Sequence, residues 1–201
     1  MAAIRTRPVA RRSRPNTPAR SRDNVYHHYD LGNEFYRLWL DQELAYTCAY
    51  FRTAETSLEQ AQRDKFDHVC RKLRLRPGQT VVEAGCGWGG LALHMARNYG
   101  VHIKAYNVSR EQIAFARQRA AVEGLDDQVH FIEADWRMIA GNFDAFVSVG
   151  MLEHVGPENY RELGQVIQHS LKSNGLALIH TIGRNSSQPV DAWTERRIFP
   201  G

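Results

Sequence analysis

Polar and apolar residues alternate with the spacing of an amphipathic helix from Ser57 to Arg74. Its apolar side chains recur with roughly helical spacing, as one buried face of a helix requires. This stripe consists of Leu58, Ala61, Phe66, Val69 and Leu73. Ser57 and Gln60 have the spacing of a capping box, in which the serine hydroxyl accepts a hydrogen bond from the backbone three residues later. The pattern therefore predicts a helix over 57–74.

Beyond this helix, short apolar runs typical of buried strands alternate with helical patterns. The predicted elements are strand 79–84, helix 88–98, strand 101–106, helix 109–122, strand 128–132, strand 143–149, helix 157–171 and strand 175–182. Gly100, Gly124 and the pair Asn174-Gly175 are predicted to end helices. Such alternation is typical of a parallel sheet with helices on both faces, whose ligands bind beyond the carboxyl ends of the strands. The sequence thus predicts a Rossmann-like α/β fold.

The segment 24–56 is rich in aromatic residues. A short helix carrying Phe35, Leu38 and Trp39 on one side is predicted within it, with Asn33 or Asp30 as its N-cap. The cluster is interpreted as a lid that covers the main fold and lines a pocket. The alternative is that these aromatic residues belong to the core.

The junction between the first predicted strand and the next helix carries the strongest chemical signal. Glycines stand at positions 85, 87, 89 and 90, and Glu83 precedes the first of them by two residues. A strand that turns sharply into a helix needs glycine for positive φ and for close approach of the backbone to a ligand. A carboxylate at this place suits a ligand that presents an ammonium group and a ribose, such as S-adenosylmethionine.

A dinucleotide site is the main alternative, because Gly85, Gly87 and Gly90 also fit the G-x-G-x-x-G spacing. That fingerprint expects an acidic residue about 20 residues further on, at the end of the next strand. The next predicted strand leads into Asn107 and carries no carboxylate. The residues therefore favour S-adenosylmethionine over NAD, and a purely structural glycine turn remains the third interpretation.

Charge is distributed unevenly along the 201 residues. Residues 1–22 contain seven arginines and no acidic residue, so the formal total of +4 becomes −3 for the remainder. With three prolines and few large apolar residues, residues 1–23 are predicted to be a disordered basic tail. A solvated linker and attraction to an anionic membrane are both open interpretations of the tail. A nucleic-acid partner is not predicted, because no aromatic residues interleave these arginines.

The cysteine content and hydropathy indicate a compartment. Cys48, Cys70 and Cys86 are scattered, odd in number and without the spacing of a metal site. A reducing cytosol is the default expectation for such a chain. No apolar run approaches transmembrane length, so any membrane contact is predicted to be peripheral.

Five motifs make the chain resemble the cyclopropane-fatty-acyl-phospholipid synthase family, which includes the mycolic acid cyclopropane synthases. The motifs are His28–Asn33, Tyr46–Phe51, Gly85–Gly90, Ser148–Gly156 and His180–Gly183. They follow the family's order and spacing from about residue 24 to the end. The resemblance implies a class I methyltransferase domain over 24–201, with 24–56 as its lid and acyl-pocket segment.

The resemblance also implies a reaction. The family transfers a carbon from S-adenosylmethionine to a cis double bond of a lipid acyl chain, which leaves a carbocation, and loss of a proton then closes a cyclopropane ring. The implied partners are unsaturated phospholipid acyl chains at a membrane surface, with peripheral association from the cytoplasm. A homodimer is a further option.

In this family the base is a bound bicarbonate. The resemblance carries its ligands onto Cys48 through its backbone N–H, Glu153, His180 and Ile182 through its backbone. Without the resemblance, Cys48 reads as a small buried residue and His180 as a core histidine. Another family ligand, a tyrosine, would lie beyond residue 201.

The implied cofactor contacts fall in four groups along the chain. Tyr46 and Thr47 are placed near the methionine end, and Asn107 and Gln112 near the ribose. Asp135 and Trp136 are placed near the adenine, where a carboxylate and an aromatic face are expected. The glycine turn contributes Glu83, Gly85, Cys86, Gly87, Trp88 and Gly89.

Some features depart from the family's commonest pattern. Thr47 replaces a serine and Glu83 an aspartate, and both keep the functional group, whereas Asn107 replaces a threonine and weakens the ribose assignment. The last strands of the family fold are missing from the predicted elements, so we expect an incomplete domain with little activity alone. Two other functions stay open: a small-molecule N-methyltransferase, and an inactive cofactor-binding fragment.

Overall fold

The computed structural model describes residue 17, residues 32–186, and residues 188, 191, 193 and 194. The predicted basic tail and the start of the 24–56 segment lie outside the described residues, except for Thr17. The N-cap candidate Asp30 lies outside them too. No helix in the described part is both long and apolar enough to cross a membrane.

Five strands alternate with helices along the described chain. The strands are β1 (Thr80–Ala84), β2 (His102–Asn107), β3 (Val129–Glu133), β4 (Phe143–Val149) and β5 (Leu171–His180). The helices are α1 (Asn33–Arg37), α2 (Leu58–Lys72), α3 (Gly90–Tyr99), α4 (Arg110–Glu123), α5 (Leu152–Val155) and α6 (Tyr160–Ser170). Two 3₁₀ turns, Trp136–Met138 and Pro157–Asn159, complete the set. Every predicted strand and helix has a counterpart.

The strands form one parallel sheet in the order β3-β2-β1-β4-β5. Successive residues of a strand point to opposite faces, and β1 shows this directly, because Val81 and Val82 belong to two different apolar clusters. The first cluster packs against α2, α3 and α4, and the second includes Leu163 of α6. The predicted parallel α/β fold with both faces covered is confirmed.

Helix α2 begins as its sequence predicts. The Ser57 hydroxyl accepts a hydrogen bond from the backbone N–H of Gln60 at 3.3 Å. The Gln60 side chain does not complete the capping box, because its Nε2 donates to Asp64 Oδ1 instead. Gly100 and Gly124 end α3 and α4 in the left-handed conformation, as predicted.

The end of α6 differs from the prediction. The helix ends at Ser170, and β5 begins at Leu171, so Asn174-Gly175 lies within the strand rather than between helix and strand. The pairing of β5 with β4 explains why Gly175 lies within a strand and not at a helix end. Leu171 pairs with Phe143, but the next pairing joins Leu176 to Ala145. Extra residues of β5 are therefore accommodated as an irregularity, where an Asn-Gly pair is favoured. The N-terminal part of the predicted 157–171 helix is instead a separate 3₁₀ turn, Pro157–Asn159, which begins at the proline.

The described part of the aromatic segment packs over the glycine turn. Tyr36 of α1, Leu44 and Trp88 form a separate buried cluster. Asn33 is not the N-cap of α1, which is Gly32 with no side-chain cap. Its Oδ1 instead accepts a hydrogen bond from Trp88 Nε1 at 2.7 Å. This contact fastens α1 to the residue inside the glycine turn.

Candidate active site

A cleft opens at the carboxyl ends of β1, β2 and β4, where ligands of parallel sheets bind. Its volume is about 140 Å³. Every cofactor-binding residue predicted above lines it, with the exception of Gly89: these are Tyr46, Thr47, Glu83, Gly85, Cys86, Gly87, Trp88, Asn107, Gln112, Asp135 and Trp136. The structure thus brings together residues that are up to 90 positions apart in the chain.

The glycine turn is held against β2. Both Gly85 and Cys86 donate backbone N–H groups to the Tyr106 carbonyl, at 2.9 and 3.1 Å. Gly87 has φ +54°, and a Cβ added there would meet nothing within 4 Å. Gly87 therefore lets the backbone border open space in the cleft, as the approach of a ligand requires.

Gly89 has a different role. It has φ +85°, and an added Cβ would lie 2.6 Å from the ring of Phe131 and 2.9 Å from Ala116. These contacts place Gly89 where the start of α3 packs against β3 and α4. The position requires glycine for packing, so its predicted contact with a cofactor is not supported by its place in the fold.

Glu83 is a buried carboxylate at the end of β1. Its side chain is 3% exposed, and its Oε2 is buried without a hydrogen-bond partner. Burial raises the pKa of Glu83 to about 8, and the charge of Lys65 opposes that rise. A buried carboxylate oxygen without a partner, facing a cleft, is suited to accept a hydrogen bond from a cationic ligand group.

Lys65 of α2 also lines the cleft, although it is not among the predicted site residues. It is 5% exposed, and its Nζ donates to Thr47 Oγ1 at 2.5 Å. Burial lowers the pKa of Lys65 to about 8. Gln62, three residues earlier, donates its Nε2 to the carbonyls of Ala45 and Thr47. Helix α2 thus fixes the segment that carries Tyr46, Thr47 and Cys48.

Asn107 and Gln112 form a pair at the end of β2. Asn107 Nδ2 donates to Gln112 Oε1 at 2.6 Å and lies 3.4 Å from the Gly87 carbonyl. Gln112 is buried, and its backbone N–H is bound by the Ser109 N-cap of α4. The two predicted ribose residues are therefore adjacent to the glycine turn.

Asp135 and Trp136 follow β3, and both are buried. Asp135 is the N-cap of a 3₁₀ turn and forms an ion pair with Arg137 at 3.0 Å. The Arg137 guanidinium lies 4.2 Å from the centroid of the Trp136 ring. Their predicted adenine contacts stay a prediction, since Asp135 is already engaged by Arg137.

The predicted catalytic residues come from three segments that meet beside this cleft. Glu153 of α5 accepts a hydrogen bond at Oε1 from the backbone N–H of Ile182, at 2.8 Å, and its Oε2 is buried without a partner. The His180 carbonyl accepts from Gly150 N–H at 3.0 Å, although the histidine side chain is exposed. Cys48 is exposed and does not line the cleft. The structure therefore brings Glu153 into contact with Ile182. That Cys48, Glu153, His180 and Ile182 act as one catalytic set stays a prediction.

Gly150 links the segment after β4 to the aromatic segment. A Cβ added to Gly150, which has φ +74°, would lie 2.7 Å from Thr47 Cγ2. This close approach is possible only because the residue is glycine. It brings the 46–48 segment beside the strand end that carries Glu153.

Several residues that line the cleft are not among the predicted site residues, and Lys65, Tyr106, Met151 and His154 are four of them. His154 lines the cleft one residue after Glu153. A signal for Lys65 existed, because Gln62 and Lys65 interrupt the apolar face of α2 at helical spacing. Polar residues within a buried stripe are costly unless they have a partner or a ligand.

The family assignment follows from comparison with known proteins. The sequence profile described as mycolic acid cyclopropane synthetase matches residues 16–201, which is nearly the whole chain. The chain belongs to this family. Membership of this family favours the methyltransferase-type interpretation of the glycine turn over the dinucleotide type.

Relatives in this family support the same assignment. A probable fatty acid methyltransferase of Pseudomonas putida is 44% identical over 184 residues, which is 88% of this chain and 47% of that protein. The cyclopropane-fatty-acyl-phospholipid synthase of Escherichia coli K12 is 45% identical over 174 residues, covering 86% of this chain and 44% of the relative. The chain spans about half the length of these curated relatives.

A solved structure shows the same fold. The crystal structure of mycolic acid cyclopropane synthase CmaA1, complexed with SAH and CTAB, superposes with a TM-score of 0.76 at 33% sequence identity. The match covers 79% of this chain and 55% of that one. The Rossmann-like methyltransferase architecture predicted from the sequence is thereby confirmed.

Proposed function

We propose that this protein is an S-adenosylmethionine-dependent methyltransferase of the cyclopropane-fatty-acyl-phospholipid synthase type. It transfers a carbon from the cofactor to the cis double bond of a phospholipid acyl chain. The observation that carries the proposal is the buried Glu83, whose Oε2 has no partner, beside a glycine turn in a chain of this family. The similarity to the Pseudomonas putida and Escherichia coli relatives and the SAH in the CmaA1 crystal support it.

The residues of the cleft fit this cofactor. When bound, S-adenosylmethionine supplies an activated methyl group. Glu83 would accept a hydrogen bond from the ammonium group of the cofactor. Gly87 would leave room for the cofactor, because a Cβ there would project into open space. Asn107 and Gln112 would bind the ribose, with Trp136 against the adenine. Residues of the 46–48 segment would hold the methionine end.

The proposed base site is built from the three segments that meet beside the cleft. Bicarbonate, when bound, would supply the proton acceptor, held by Glu153, His180, the backbone N–H of Cys48 and the backbone of Ile182. The buried, unpartnered Oε2 of Glu153 fits a protonated anion, because it offers an acceptor for the anion's O–H. Glu153 also receives the Ile182 N–H, so the carboxylate is already oriented.

Acyl chains require an apolar approach to this site. The described part of segment 24–56, proposed as the lid, leaves Phe35, Leu38 and Trp39 between 43% and 81% exposed. Tryptophan and exposed leucine favour the interface of a bilayer. We take this face, together with the basic N-terminal residues, as the peripheral contact with anionic phospholipid.

The test is a transfer assay with S-adenosylmethionine carrying a deuterated methyl group, on vesicles of cis-unsaturated phospholipid. The assay uses the longest form of the protein that carries this sequence, since the curated relatives are about twice as long. Mass spectrometry should find cyclopropane-containing acyl chains in which one deuteron of the methyl group has been lost. A small-molecule N-methyltransferase would leave the acyl chains unlabelled, and that result would refute the proposal.

The Glu153→Gln variant tests the base. We expect the rate of ring formation to fall by about 10²- to 10⁴-fold, as is typical when a positioned proton-transfer group is lost. Affinity for SAH should stay unchanged, because Glu153 is not among the residues that line the cofactor cleft. Glu158→Gln, an exposed carboxylate in the following turn, is the matched control and should be fully active. A fully active Glu153→Gln enzyme would exclude Glu153 from the base site.

A further inference from the structure

Gln62 of α2 is a buried glutamine whose amide faces the segment 45–48. The residue is 3% exposed. Its Nε2 donates to two backbone carbonyls, that of Ala45 at 3.0 Å and that of Thr47 at 2.9 Å. Both of its N–H donors are therefore used, whereas its Oε1 is buried and has no hydrogen-bond partner in the described part of the chain. Because a buried acceptor without a partner destabilises a fold, the position calls for an explanation in what the two donors achieve.

The hydrogen bond to Thr47 also fixes the direction of the next N–H group. The Thr47 carbonyl and the Cys48 N–H belong to one peptide unit, which is planar and trans. In such a unit the C=O and N–H bonds point in opposite directions. Since the carbonyl points at Gln62, the Cys48 N–H points away from it. The second hydrogen bond, to Ala45, prevents the segment from turning about a single contact.

The Cys48 N–H is oriented but unoccupied, since it donates to no residue that the structure describes. Gly150 packs closely on the same segment, because a Cβ added there would lie 2.7 Å from Thr47 Cγ2. The chain after Gly150 carries Glu153, whose Oε2 is buried without a partner among the described residues. An oriented N–H donor and a carboxylate oxygen that lacks a donor together suit a ligand that both accepts and donates, such as a protonated anion.

We propose that Gln62 is a positioning residue for the anion site, and that its amide aims the Cys48 N–H at the bound anion. This inference rests on the proposed function, in which that N–H and Glu153 hold bicarbonate. Gln62 does not line the cleft, so it acts through the peptide unit and not by touching the anion or the cofactor. Without Gln62 the peptide unit would have to be ordered when the anion binds, and such ordering lowers affinity.

The first test measures anion binding without turnover. The longest form of the protein that carries this sequence is labelled with ¹⁵N-cysteine, and the Cys48 amide resonance is assigned with Cys48→Ser. In the presence of SAH, bicarbonate should shift this resonance in a saturable way, and sodium chloride at the same ionic strength should not. In Gln62→Met, which removes both donors, we expect the half-saturating bicarbonate concentration to rise about tenfold, the usual effect of losing a positioned hydrogen bond.

The second test uses the transfer assay at different bicarbonate concentrations. Gln62→Met should be about tenfold slower than the unsubstituted protein at low bicarbonate, and high bicarbonate should restore most of the rate. Gln62→Glu keeps the length of the side chain but replaces the amide donors with a carboxylate, so it should show the same defect. Gln60→Met changes an exposed glutamine of α2 that donates to Asp64, and it should behave like the unsubstituted protein.

A purely structural role of Gln62 gives a different result. It would lower the rate at every bicarbonate concentration without changing the half-saturating concentration, and that outcome would overturn the inference. Failure of both Gln62 variants to fold would overturn it too, because Gln62 would then serve the fold. If the unsubstituted protein binds SAH but its Cys48 resonance does not respond to bicarbonate, the proposed base itself is refuted, and the inference with it.

Discussion

Glu83 occupies a position where a charged side chain lowers stability. Its pKa is raised by burial from 4.5 to about 8, so the folded protein holds a proton there that the unfolded chain has already released. Because the native state binds more protons between these pH values, stability falls as pH rises through that interval and stays lowered above it. The proposed cofactor would explain why the fold retains a carboxylate at this cost.

Replacing Glu83 with glutamine should therefore stabilise the free protein. We expect a gain of about 1 to 3 kcal/mol above pH 8, because the buried charge is gone, and little gain near pH 4.5. Thermal unfolding at the two pH values measures the difference. Glu133→Gln, an exposed carboxylate at the end of β3, is the control and should change neither value. A Glu83→Gln protein that is less stable at high pH would contradict the burial argument.

The glycines of the turn should respond differently to alanine. Gly89→Ala forces a Cβ to 2.6 Å from Phe131, so we expect a loss of about 2 to 4 kcal/mol in unfolding free energy. Gly87→Ala meets no atom within 4 Å, and its cost is the strain of a positive φ, about 1 to 2 kcal/mol. SAH affinity should show the opposite order, with the greater loss at Gly87. Chemical denaturation and calorimetry measure the two effects, and equal stability losses would refute the division of roles.

At the level of elements, the short helix α1 depends on the glycine turn for its position. Trp88 is 2% exposed, and its indole N–H donates to Asn33 at the start of α1. An ion pair between Glu43 and Arg119, at 2.6 Å, ties the following loop to α4. These two contacts anchor the described part of the proposed lid segment, one at the glycine turn and one at α4.

Asn33→Ala should loosen α1 without unfolding the sheet. Removing the acceptor of a buried N–H costs about 1 to 3 kcal/mol locally. Hydrogen exchange should become faster in residues 33–40, while exchange in β1 and β2 stays unchanged. Asn98→Ala, which changes an asparagine on the far end of α3, is the comparison variant. If exchange in residues 33–40 is the same as in the unsubstituted protein, the Trp88 contact does not hold α1.

Sequence patterns predicted the elements well where periodicity was strong. The apolar stripe of α2 and the apolar run of β1 each predicted one element with bounds correct within a residue or two. The start of β5 could not be predicted, because Asn174-Gly175 resembles a helix end and the irregular pairing with β4 depends on tertiary contacts. Lys65 escaped notice because a long polar side chain within a helix is ordinarily solvent-exposed, and only the packing of α2 buries it.

For the whole molecule, the parallel sheet determines which predicted residues meet. Strand order places the ends of β1, β2 and β4 side by side, so Glu83, Asn107 and the segment after Val149 line one cleft. Topology alone therefore predicts the cofactor cleft. It does not predict the place of Cys48, whose side chain is exposed, because the path of the lid segment depends on specific contacts such as Gln62 with Ala45 and Thr47.

Binding and protonation should be coupled across this cleft. Near pH 7 the free protein holds a proton on Glu83, whose pKa is about 8, and a ligand ammonium favours the ionised carboxylate. SAH binding should then release protons below pH 8. Calorimetry in buffers of different ionisation enthalpy measures the sign, and a release that persists in Glu83→Gln would contradict the assignment.

The most direct test of the account is a titration of this chain with SAH and, separately, with NAD. The Glu83 carboxylate and the open space at Gly87 predict saturable binding of SAH with one site per chain, and no detectable binding of NAD. Gly87→Val should abolish the SAH signal, because its side chain would fill the space that the ligand needs. Binding of NAD without binding of SAH would contradict the central claim that this cleft is a methyltransferase cofactor site.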